Sequence, residues 1–204
     1  ATINENSEET IMNYYKEILN NYDCILLSDY GKGLFTNKLT QSLINIAKEN
    51  GKKILIDPKG SDYSKYKGAY LLTPNEKEAR FSLADQDSSI SVLTRELLKQ
   101  TKFKNLILKL GERGVLCVGD KNINETYNLD TFCNTVIDAV GAGDALLAYS
   151  TLVYMKTNSL IKAGIIGSIV ACCECEIDGN KPISPLKVRT KINEIERMSN
   201  YKQG

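Results

Sequence analysis

Short apolar runs alternate along this chain with longer stretches whose apolar residues recur every three or four positions. The long stretches predict helices over Thr10–Asn20, Asn37–Glu49, Glu76–Leu83, Ile90–Gln100, Ala142–Tyr154, Leu160–Cys175 and Leu186–Met198. The short continuous runs Cys24–Ser28, Lys53–Asp57, Tyr70–Thr73 and Asn105–Leu110 predict strands buried on both faces. Val115–Val118 and Thr126–Leu129 suggest a hairpin or an edge pair. Strand, helix, strand, helix with buried strands predicts an α/β fold, a mostly parallel sheet with helices on both faces. No repeat or low-complexity linker divides the chain, so one domain over residues 1–204 is expected.

In such sheets ligands bind at the carboxyl ends of the strands. Polar, glycine-bearing segments follow each predicted strand here: Asp29-Tyr30-Gly31-Lys32-Gly33, Asp57-Pro58-Lys59-Gly60, Thr73-Pro74-Asn75-Glu76-Lys77-Glu78 and Leu110-Gly111-Glu112-Arg113-Gly114. Bulk composition narrows the partners. With 26 basic and 25 acidic residues, no basic surface for nucleic acid is indicated. No apolar run is long enough to span a bilayer, and no leader pattern opens the sequence. Histidine is absent, which removes a Ser-His-Asp triad and His-bound zinc from this chain. Six cysteines lack the paired C-x-x-C pattern of a four-thiolate zinc site. Cys172 and Cys175 share a helix face and are expected mainly as small buried side chains, in a reducing, cytoplasmic compartment.

The most informative segment is Asp138-Ala139-Val140-Gly141-Ala142-Gly143-Asp144, just ahead of an apolar helix. A helix start presents backbone N–H groups and the positive end of its dipole. Gly141 and Gly143 let a ligand approach that backbone closely. Asp144 then sits beside a place built for negative charge. Its natural task is to take the proton of a hydroxyl attacking a phosphoryl group. An ordinary turn with a favoured first-turn Asp is the alternative.

Asn75 and Glu78, three apart at a helix start, share one face and could hold phosphate oxygens and a hydrated Mg²⁺. The alternative is a simple helix cap. Gly111 and Gly114 bracket a tight turn that either admits nucleotide phosphates or only reverses the chain. Lys32 and Lys59 lie beside glycines, as ligand contacts or as solvated loop lysines. Asp29 closes a strand, where sugar hydroxyls could be bound.

Taken in order, these segments resemble the ribokinase-like (PfkB-type) carbohydrate kinases over nearly the whole chain. Asp-Tyr-Gly-Lys-Gly and Asp-Pro-Lys-Gly look most like the kinase domain of the heptose 7-phosphate kinase/ADP-heptose synthase group. The resemblance implies ATP and Mg²⁺ as cofactors and a sugar phosphate as acceptor, phosphorylated at its anomeric hydroxyl. It implies Asp144 as base, with the N–H groups at Ala142, Gly143 and Asp144, after Gly141, holding developing charge. Asn75, Glu78, Lys59, Gly111 and Gly114 would serve the nucleotide, Glu78 meeting Mg²⁺ through water. Asp29 and Lys32 would serve the substrate.

Two departures accompany the resemblance. The family usually has a hydroxyl residue where Val140 stands. Its members also carry first strands, a small β lid and a glycine-rich sugar-binding stretch ahead of the region matching Ala1. The chain therefore reads as the C-terminal two-thirds of such a domain, with self-association, a homodimer for instance, as one consequence. A nucleotide-binding module without turnover, or a kinase of another sugar or nucleoside, are the rival readings. A dinucleotide-binding domain is disfavoured, since no G-x-G-x-x-G follows the first strand.

Overall fold

The computed structural model describes residues 2–119, 126–179 and 181–201. Among these, six strands form one sheet in the order β1-β2-β3-β4-β5-β6. They are β1 (Cys24–Ser28), β2 (Lys53–Asp57), β3 (Leu71–Leu72), β4 (Asn105–Lys109), β5 (Val115–Gly119) and β6 (Thr126–Leu129). The first four are mutually parallel, with Leu27 facing Ile56, Ile56 facing Leu72 and Leu72 facing Leu106. The helices are α1 (Glu5–Ile18), α2 (Asn37–Glu49), α3 (Glu76–Ser82), α4 (Ile90–Thr101), α5 (Ala142–Thr157), α6 (Leu160–Cys175) and α7 (Pro185–Tyr201). No described helix is long and apolar enough to cross a membrane.

By internal contacts the chain divides into two compact units, Ala1–Lys109 with Val118–Thr126, and Leu110–Cys117 with Tyr127–Gly204. In the first unit, Leu55, Ile56, Leu71, Leu72, Leu106, Ile107 and Leu108 are buried. These central strands are covered on both faces, as their unbroken apolar runs require. β1 departs from that expectation. Among the described residues it has a strand neighbour on one side only, and Leu26 is 43% exposed. A continuous apolar run records the strand, not whether a neighbour covers it.

Capping explains most helix starts. Asn4, Thr36, Asn75, Ser89 and Ser159 each accept a backbone N–H from the first turn of α1, α2, α3, α4 and α6. Asn4 moves the start of α1 into the polar cluster ahead of Thr10. α5 is different: Gly141 precedes it in left-handed conformation, φ +85°, with no side-chain cap.

In the second unit, α5 lies against α6 through small residues. A Cβ added at Gly167 would stand 2.0 Å from Ser150 Oγ, and one at Gly164 2.4 Å from Cys117 Sγ. Ser150 Oγ–H donates to the Ala163 carbonyl at 3.0 Å, a buried bond between the two helices. Gly167 thus sets the spacing between α6 and α5, while Gly164 sets that between α6 and Cys117 of β5.

Candidate active site

The first unit gathers charged side chains at the carboxyl ends of β1, β2, β3 and β4. Each of three carboxylates there faces a lysine. Asp29, just past β1, is buried and accepts from Lys65 Nζ at 2.7 Å, Tyr66 Oη at 2.6 Å and the Gly31 N–H at 2.7 Å. Burial pushes its carboxyl up, but these donors and the Lys65 charge outweigh that and hold it below its ordinary value. Asp57, the last residue of β2, accepts from Lys109 Nζ at 2.8 Å and from Thr73 Oγ1 at 2.9 Å. It thereby laces the ends of three strands. Glu78, in the first turn of α3, is ion-paired with Lys59.

Asn75 and Glu78 form a reciprocal cap. Asn75 Oδ1 accepts the Glu78 N–H at 2.8 Å, and Glu78 Oε2 accepts the Asn75 N–H at 3.1 Å. Fixing the Glu78 carboxylate by the cap aims its other oxygen, Oε1, at Lys59. Glu78 offers hard oxygen to a hydrated Mg²⁺, and Lys59 offers a cation to phosphate, so this donor set fits a magnesium–polyphosphate. Lys32 is exposed in the loop after β1.

Lys65 and Tyr66 carry much of this architecture, yet no motif marks them. Tyr66 Oη bonds Asp29 and also receives the Lys59 N–H at 3.0 Å. Burial, then the Asp29 hydrogen bond, push its hydroxyl pKa far up, so it stays protonated. Tyr63 packs edge-on against it, ring centroids 5.5 Å apart. Lys109 is the third residue that sequence reasoning left unassigned. Its position at a strand end was the available signal.

The second unit holds the other candidates. Gly111–Arg113 form a single 3₁₀ turn, closed by Leu110 N–H to the Gly114 carbonyl at 2.8 Å. At Gly114, φ is +81° and an added Cβ would lie 1.9 Å from the Leu129 carbonyl oxygen. Gly111 has φ +64° with open space around it. The segment before α5 is tied down at both ends. The Ile137 and Asp138 amides donate to the Cys175 carbonyl at 2.7 and 3.2 Å. Asp138 Oδ1 accepts the Val140 N–H at 2.9 Å. Val140 itself is 61% exposed. Asp144 occupies the first turn of α5, half-buried. The Ala142 amide donates to the Ala139 carbonyl at 3.3 Å, closing a turn just before the helix.

Residues 2–185 match the family profile of pfkB family carbohydrate kinases. The chain is 42% identical over 150 residues to the bifunctional protein HldE of Aliarcobacter butzleri, covering 72% of this chain and 30% of that one. It is also 42% identical over 176 residues to bifunctional protein HldE of Sulfurimonas denitrificans, covering 83% and 35%. It thus spans about a third of the length of these curated relatives. Among solved structures, phosphofructokinase-2 from Escherichia coli in complex with potassium superimposes with a TM-score of 0.78 at 20% identity, over 96% of this chain and 64% of that one. Arabidopsis thaliana ribokinase complexed with ribose and ATP gives 0.71 at 16% identity, over 94% and 60%. These two likenesses show a shared fold.

Proposed function

Because the chain belongs to the pfkB family of carbohydrate kinases, we propose that it is the catalytic part of an ATP-dependent sugar kinase. The observation that carries this reading is the uncapped start of α5, where left-handed Gly141 precedes a first turn containing Asp144. The positive end of the helix dipole favours the phosphoryl group, and Asp144 supplies the base.

In this reading the Asp144 carboxylate accepts the proton of the sugar hydroxyl as that oxygen attacks the γ-phosphorus of ATP. The new P–O bond forms while the bond to the ADP oxygen breaks, and ADP leaves with its charge. The helix start balances negative charge on the transferred group. Lys59 moves from Glu78 to a phosphate oxygen, and Asn75 offers its side-chain N–H₂ to another. Glu78 would hold Mg²⁺ through water, and the ion would supply neutralisation of the polyphosphate charge. Gly111 and Gly114 border the nucleotide. Lys32, exposed after β1, reaches for the phosphate of the acceptor. Asp29 serves the sugar site by orienting the loop through Gly31.

Heptose 7-phosphate is the proposed acceptor, phosphorylated at its anomeric hydroxyl. The Asp29–Gly33 and Asp57–Gly60 segments and the match to the bifunctional HldE proteins support that choice. The test is ADP release with Mg·ATP and a panel of sugars and sugar phosphates, heptose 7-phosphate included. Release dependent on that sugar supports the reading. Release with another sugar keeps the kinase and replaces the acceptor. Nucleotide binding without release for any acceptor leaves a nucleotide-binding module.

A further inference from the structure

Three thiols and a carboxylate converge in the second unit, where the proposed kinase reaction has no use for them. Cys172 and Cys175 lie one turn apart on α6, and Glu176 follows the helix directly. Cys133 comes from the loop after β6. Its sulfur, Cys172 Sγ and a Glu176 carboxylate oxygen all lie within 4.8 Å of one another. Cys133 also neighbours both the Cys172 and Cys175 thiols. Cys172 Sγ stands 3.4 Å from Glu176 Oε1, where Lys191 Nζ of α7 pairs at 2.5 Å. The cysteines are all free.

We propose that Cys133, Cys172, Cys175 and Glu176 bind one thiophilic divalent ion, zinc being the type. Three sulfurs with one oxygen suit a closed, tetrahedral structural site. Cys172 Sγ and Glu176 Oε1 already stand at the spacing of two ligands on one tetrahedral ion, and coordination draws the Cys175 thiol, outside that 4.8 Å group, into the same shell. On binding, three S–H bonds break, three metal–sulfur bonds form, and three protons pass to solvent. Nothing is oxidised. Lys191 offsets part of the negative charge of the four-ligand set.

A disulfide accounts for the arrangement less well. It would use two sulfurs, leave a third with the carboxylate, and need an external oxidant.

The site's consequence is structural. The Cys175 carbonyl accepts the Ile137 and Asp138 amides. An ion joining Cys133 to α6 therefore closes both ends of the intervening segment, just ahead of the turn that opens α5.

The experiment uses the full chain, reduced and stripped of metal, titrated with Co²⁺ and then Zn²⁺. We expect one ion per chain, a thiolate-to-cobalt charge-transfer band, displacement by zinc, and about three protons released per ion. Cys133→Ser should weaken the band and lower the affinity more than about tenfold, whereas Cys24→Ser should change neither. Zinc should also shield Cys133 and Cys175 from alkylation, read peptide by peptide, with Cys24 labelling unchanged. That readout needs no folded variant. The proposal is overturned by no charge-transfer band at saturating cobalt, by a band that survives Cys133→Ser intact, or by labelling of Cys133 that zinc leaves unaltered.

Discussion

The Tyr66 hydroxyl stands 2.6 Å from the Asp29 carboxylate, donating to it while receiving the Lys59 N–H. One buried oxygen therefore joins the loop after β1 to the loop after β2. Lys65 completes the contact from the neighbouring position. Two adjacent residues in a 3₁₀ turn supply both the counter-charge and the hydrogen bond that Asp29 needs to stay ionised while buried.

Tyr66→Phe leaves Asp29 short of a donor and the Lys59 N–H without its acceptor. It should cost about 1–3 kcal/mol in a denaturant titration. Tyr63 is the control. Its hydroxyl is buried with no hydrogen-bond partner among the described residues. Tyr63→Phe should be neutral or mildly stabilising, since it removes a desolvated group that gains nothing. Equal costs for the two would refute the assignment.

Asp29 makes folding sensitive to acid. Its folded-state pKa lies below the ordinary 3.8, so the folded chain holds this proton less tightly than the unfolded one. The stabilisation is full above the unfolded value and disappears as pH falls through the folded one. Between about pH 5 and pH 2 the native chain should lose more stability than Asp29→Asn does. Parallel pH profiles for the two would show that Asp29 contributes nothing.

Asp144→Asn keeps the size of the side chain and removes its basicity. Turnover should fall by about two to four orders of magnitude, with Mg·ATP affinity nearly unchanged. Single-turnover rates and equilibrium nucleotide binding separate the two effects. Near-native turnover would show that Asp144 is not the base.

Gly111 and Gly114 flank the same turn for different reasons. Gly111→Ala meets open space and carries only left-handed strain, about 1 kcal/mol. Gly114→Ala adds a collision with the Leu129 backbone and should cost several times more, seen as a much lower melting temperature. Similar melting points for the two would mean that the 129–131 strand end shifts freely.

Gly167→Ala tests the α5–α6 spacing. The new methyl meets Ser150 Oγ and, at 3.2 Å, the Leu146 carbonyl. We expect loss of about 1–3 kcal/mol, with partial recovery in the double variant Gly167→Ala/Ser150→Ala. Additive losses would place the strain elsewhere.

The helices and strands were largely legible because their periodicities are strong. α2, α6 and the strands β1, β2 and β6 fall at the expected bounds. α1 begins earlier because Asn4 caps it and Glu5 and Glu8 occupy its first turn, features that a search for apolar spacing passes over. Leu26 was misread as buried since lateral coverage of a strand is a property of distant sequence. In the candidate site, residues next to glycine turns announced themselves. Lys65 and Tyr66 did not, because their partner Asp29 is 36 and 37 positions away. The Asn75–Glu78 spacing carried two meanings, and the capping geometry is present in full.

The pairing of Lys59 with Glu78 has a thermodynamic corollary for a magnesium nucleotide. A phosphate that draws Lys59 away leaves the Glu78 carboxylate without that counter-charge, ready for a cation. A cation near Glu78 likewise turns Lys59 toward an anion. Each ligand prepares the place of the other. By reciprocity, the factor by which Mg²⁺ tightens nucleotide binding must equal the factor by which nucleotide tightens Mg²⁺. In the proposed kinase the Lys59–Glu78 ion pair would thus work as an exchange of partners that couples the two arrivals.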